Sequence, residues 1–205
     1  MRSEREKTIK GQFKTQILII LSFVAIFWVV ELLDLFVFHG YLNTFGIIPH
    51  SVIGLRGILF APFLHGGLGH LLANTVPFII LGWLVMIQET SDFWIVTALT
   101  MLVGGLGVWL FASPGSIHIG ASILIFGYFG FLLFRGYFQR NLPSIALSLL
   151  VVFLYGSLVW GVFPTQAGIS WQGHLFGFLG GVLAAKTIAK EKAVEAREIN
   201  RREKW

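Results

Sequence analysis

Cysteine is absent from the 205-residue chain. Disulfides, thiolate nucleophiles and cysteine-held metals are therefore excluded. Charge is nearly as scarce. Asp, Glu, Lys and Arg make up 12% of the residues, about half the share of a soluble domain. A chain this poor in charge cannot cover a water-facing surface. The net charge of +5 does not point to nucleic acid, because the basic residues sit at the two ends. No basic stripe with stacking aromatics accompanies them. Internal repeats and low-complexity tracts are also lacking. No acidic residue crosses the middle of the later apolar runs, which argues against a transporter-type proton relay.

Apolar length is what the chain does have: 56% of residues are hydrophobic and the mean hydropathy is +0.79. Six runs stand out, at 15–38, 70–88, 92–112, 122–138, 143–163 and 172–190. Backbone amides in lipid must be bonded within the segment, so these runs are expected to be helices. The first lacks an A-x-A cleavage site and is read as an anchor. Every Lys and Arg except Arg56 falls on one side of a six-span arrangement. The positive-inside rule then puts both termini in the cytoplasm. The expected organisation is a cytoplasmic segment at 1–14, a membrane domain at 15–190 and a charged cytoplasmic tail at 191–205.

Polar side chains within the spans are few, and such groups are costly at depth. The second run opens on "HGGLGHLLAN", which carries His65, His70 and Asn74. His70 and Asn74 are four apart and share a helix face. Ser122 opens the fourth run, after Gly120 and Ala121, and His174 lies near the start of the sixth. Counting back from the charges that end each run places Asn74, Ser122 and His174 in one layer, about 10 Å beneath the extracytoplasmic face. Gly173, Gly177 and Gly181 form a ridge of small residues in the sixth run, and Gly127 and Gly130 offer a matching face in the fourth. Such faces let helix backbones approach closely, which would bring His174 towards Ser122.

Each residue also has a plainer reading. Serine at a helix start is a common cap. His174 could be a packed core residue, and His70 and Asn74 could tie a helix to a loop. His39, His50 and His118 read as loop or surface residues. Zinc held by His65, His70, His118 and His174 is disfavoured, because the five-residue step separates the first two on a helix and no His-Glu-x-x-His occurs.

Taken together, the blocks resemble the rhomboid family of intramembrane serine proteases. "HGGLGHLLAN", "GAS" at 120–122 and "GHLFGFLGG" at 173–181 stand in that family's order and spacing. The resemblance implies an all-α rhomboid-like bundle of six transmembrane helices in a bacterial plasma (inner) membrane. Its active site would open to the extracytoplasmic side. Ser122 would be the nucleophile and His174 the general base. His70, Asn74 and the Ser122 amide would form the oxyanion hole. His65, Phe126, Gly120, Gly177 and Gly181 would support it, and residues 39–64 would form a partly embedded loop. The partners would be the lipid bilayer and a transmembrane protein substrate, with no metal or cofactor. One residue departs from the family motif, which continues Ser-Gly: here Ile123 follows the serine. Ile123 leaves an alternative open, a rhomboid-like pseudoprotease that binds membrane clients without cutting them.

Overall fold

The structure is a computed structural model that describes residues 2–164 and 168–202. Lys204 and the end of the expected tail lie outside the described residues. Among those described there are seven helices and no strand. Six helices are long: α1 (Arg2–Leu33), α3 (Leu68–Met86), α4 (Asp92–Phe111), α5 (Ser122–Gln139), α6 (Leu142–Tyr155) and α7 (Trp171–Arg202). The seventh, α2, is the single turn Gly57–Phe60. Two long helices have extensions: a π-helical turn, Asp34–Phe38, after α1 and a 3-10 stretch, Gly156–Val162, after α6.

Five segments are long and apolar enough to cross a membrane: Ile9–Phe38, Leu68–Met86, Asp92–Phe111, Ser122–Gln139 and Leu142–Val162. The long helix α7 is outside that set. Its glycines, Gln172, His174 and Lys186 dilute its hydropathy, and its charged end runs unbroken to Arg202. Helix α1 likewise begins at Arg2, well before the apolar run it carries.

Burial ranks the helices. In α5, 67% of the residues in the apolar window are buried, against 17% in α1 and in the α6 segment. Helix α5 is thus the central post, with α3, α4, α6 and α7 packed around it and α1 lying outside against α3. Glycine sets how closely the post is approached. Gly177 of α7 lies against the Ile123 carbonyl, Gly181 against that of Gly127, and Gly130 against that of Phe178. At each of these positions a β-carbon would collide with main chain. The ridge is therefore a backbone-to-backbone contact of the kind small residues permit.

Residues 39–64 pack as short helical turns rather than a free loop. Ile47 exchanges two 2.9 Å main-chain hydrogen bonds with His118, and Gly120 N–H donates to the Ala61 carbonyl at 2.9 Å. Asp34 accepts from Leu42 N–H at 2.8 Å, and Arg56 donates to the Thr44 carbonyl at 3.1 Å. The bonds to His118 and Gly120 fix the segment that leads into Ser122.

At the opposite end of α5, Arg135 pairs with Asp92 of α4 at 2.8 Å; both are buried. Arg135 also donates to Gln139 at 3.2 Å. Removing one partner of a buried pair strands the other charge, whereas replacing both with apolar groups does not. Asp92→Ala is expected to destabilise the fold by about 3 kcal/mol, with an Asp92→Leu/Arg135→Met double variant recovering most of the loss. Thermal unfolding of the detergent-solubilised protein checks this, and equal losses in the two variants would contradict it.

Candidate active site

The site is built where three helices begin. Gly67, at φ +116°, turns the chain into α3, and one turn later His70 Nδ1 accepts a 3.3 Å hydrogen bond from Gly66 N–H. Because Nδ1 accepts, the neutral ring carries its proton on Nε2. Gly120, at φ +119°, takes a conformation that side chains avoid. A β-carbon there would stand 2.7 Å from His70 Nε2 and 3.5 Å from Asn74 Nδ2. The glycine thus lets both donors lie against the turn before Ser122. His65 is buried, and its Nε2 accepts from Ala121 N–H at 3.5 Å. Asn74 Nδ2 is buried with no hydrogen-bond partner.

Ser122 is the first residue of α5 and is half-buried. Its amide is one of the unbonded N–H groups at a helix start. On α7, His174 stacks on Phe126, with ring centroids 3.9 Å apart and planes within 7°. Phe126 lies one turn beyond Ser122, so this stack couples the two helices next to both residues. His174 Nδ1 lies 2.9 Å from the Gly161 carbonyl. His70, Asn74, Ser122 and His174 all line one cavity of about 770 Å³. Ser122 and His174 share no direct hydrogen bond, and apo sites often tighten only around substrate.

Ile123 does not line that cavity. Its side chain enters a groove between α4 and α7, where Gly104 and Gly177 leave room for it. A recess that it borders beside Ser122 measures about 20 Å³, roughly one water. The branched residue is thus part of the bundle packing. Ile123→Gly is expected to cost about 3 kcal/mol, as a cavity replaces the buried side chain. A thermal midpoint equal to that of the native protein would show that the groove does not need filling.

Two features carry no sequence signal. His118 reads as a loop residue, yet it borders the cavity and bonds Ser170 Oγ at 2.6 Å and Ser116 Oγ at 2.8 Å. Ser170 in turn accepts from Gly173 N–H at 3.2 Å, capping the helix that carries His174. The Gly161 carbonyl is the second; a main-chain acceptor has no residue type to betray it. Among the described residues, no three His, Asp or Glu side chains are grouped as metal ligands.

A polar cavity between helix starts, in a bundle with five segments long and apolar enough to cross a membrane, fits a polytopic integral membrane protein. The chain belongs to the rhomboid family: the Rhomboid domain matches residues 54–191. An uncharacterized protein of Mycobacterium tuberculosis is 43% identical over 178 residues, covering 83% of this chain and 74% of its own length. An uncharacterized protein of Mycobacterium leprae is 42% identical over 178 residues, covering 83% and 70% respectively. A Bacillus subtilis protein with the provisional name rhomboid protease YdcA is 31% identical over 130 residues, covering 63% of this chain and 65% of its own.

Burial, and after it the neighbouring His70, pushes the His65 imidazole from 6.5 down to about 3. The unfolded chain therefore binds a proton through this window that the folded chain refuses, and stability falls as pH drops from about 6.5. The thermal midpoint should decline between pH 7 and pH 4, and His65→Gln should flatten the decline. An equally steep profile in the variant would assign the effect to another group.

Proposed function

We propose that the protein is an intramembrane serine protease that hydrolyses a peptide bond in or beside a transmembrane segment of its substrate. The observation that carries this reading is the single cavity shared by Ser122, His174, His70 and Asn74. Its polar groups match the chemistry group by group. Ser122 Oγ attacks the scissile carbonyl carbon as its proton passes to His174 Nε2. The oxyanion forms against Asn74 Nδ2, His70 Nε2–H and the Ser122 amide. The Gly66 N–H holds the His70 ring in place before the reaction, which is what such stabilisation requires. His174 then returns the proton to the departing amine, leaving an acyl-serine. Water enters, gives up a proton to His174, attacks the ester and frees the acid and the serine.

Among the described residues, no carboxylate lines the cavity. Glu31 and Asp34 are buried on the α1 segment, and Asp34 is bonded to Leu42 N–H. The catalytic unit is a Ser–His dyad, slower than a triad. The bundle has six spans, with α7 as the sixth, and both termini face the cytoplasm of a bacterial cell. The cavity faces the extracytoplasmic side, where water reaches it. By family likeness the substrate is a single-span protein with small residues at the scissile bond, and the α6 side borders its lateral route in.

A fluorophosphonate probe tests the reading. Native protein should label, and Ser122→Ala and His174→Ala should reduce labelling at least a hundredfold. Asn74→Ala should slow cleavage about a hundredfold, the loss expected for one oxyanion donor. Unlabelled native protein that still captures membrane clients would favour the pseudoprotease instead.

A further inference from the structure

The unassigned feature nearest the chemistry is what holds His174. In a Ser-His-Asp triad, a carboxylate accepts from Nδ1–H and fixes the ring's tautomer. Here Nδ1 lies 2.9 Å from the Gly161 carbonyl. A carbonyl oxygen can only accept, so Nδ1 must carry the proton. The neutral ring then presents its lone pair on Nε2, the nitrogen a base needs. We propose that the Gly161 main-chain carbonyl is the positioning acceptor that selects the base-competent tautomer of His174. The inference rests on the reading of His174 as general base.

The residue at 161 suits the task because it has no side chain. A β-carbon there would stand 2.6 Å from Phe126 Cζ and 3.4 Å from His174 Nδ1. Any substituent would push into the stacked ring pair and away from the bond. Phe126 closes one face of the imidazole, and Gly161 fixes its rotation in plane. A neutral carbonyl steadies the imidazolium less than a carboxylate would.

The location adds a consequence. Gly161 belongs to the 3-10 stretch Gly156–Val162, in which no residue is fully buried. This stretch walls a second cavity of about 250 Å³, together with Phe126, Phe163 and His174. Whatever displaces the stretch carries the acceptor away and frees the ring to adopt the other tautomer. On this reading the base is competent only while 156–162 is seated.

Nitrogen-15 histidine spectra of the full-length protein in micelles, taken where the rings are neutral, test this directly. His174→Gln assigns the signals. Native His174 should show the Nδ1–H tautomer. Gly161→Ala should shift it to a mixture with Nε2–H and reduce fluorophosphonate labelling more than tenfold. Replacing the Val162 amide nitrogen by oxygen weakens the same carbonyl without adding bulk. It should give an intermediate mixture and about a fivefold slower labelling, the scale of one weakened hydrogen bond. This second variant decides the matter if Gly161→Ala does not fold. A native Nε2–H tautomer, or a ratio that neither change moves, overturns the proposal. The readout is separate from proteolysis. A shifted tautomer in an unlabelled protein keeps this inference and discards the protease, and labelling by an Nε2–H ring does the reverse.

Discussion

Contact between the α5 and α7 backbones is the constraint on which the site depends. Gly177 on the Ile123 carbonyl and Gly181 on the Gly127 carbonyl leave no room for even a methyl group. In lipid, apolar side chains gain little by meeting one another, so van der Waals packing and close polar contact must hold helices together. Tight approach has a second effect here. With larger residues on the ridge, α7 would stand farther from α5. The Phe126 ring would then no longer reach His174, and the cavity wall would open between them. The same glycines that bind the bundle therefore set the separation between the two proposed catalytic residues.

The other constraint is the main chain's control of protons. The rings of His70 and His174 each meet one main-chain group: the Gly66 amide and the Gly161 carbonyl. Each partner leaves only one neutral tautomer satisfied. His70 is left with a donor on Nε2 and His174 with an acceptor on Nε2, the opposite roles that an oxyanion site and a base require. No buried charge is needed for this. A carboxylate at that depth would carry a large desolvation cost, whereas a carbonyl already present in the backbone carries almost none.

Much of this was legible in the sequence, and the reasons differ by element. The apolar runs located the long helices because length and hydropathy decide membrane helices almost unaided. The spacing of His70 and Asn74, and the order of the blocks holding Ser122 and His174, picked out four residues that line one cavity. Three things were not legible. Helix α1 begins far before its apolar part, since hydropathy marks lipid contact rather than helix ends. The end of the fifth run tightens to a 3-10 stretch, which no residue type announces. The direction of Ile123 depended on a glycine in another helix, Gly104, and distant pairings leave no trace in a single chain.

Residues 39–64 show how irregular backbone can lie beside such a site. Unsatisfied amides are excluded from lipid, so a non-helical segment at depth must bond to protein or line a wet cavity. This segment does the first. Ile47 and Ala61 bond to the chain at His118 and Gly120, and Gly57 presses against the backbone of Gly46 and Ile47. The strand of chain it grips is the one that delivers Ser122. Loosening the segment would free the Gly120 turn, and with it the surface on which His70 and Asn74 rest. The segment is thus a brace for the turn on which the proposed oxyanion donors rest.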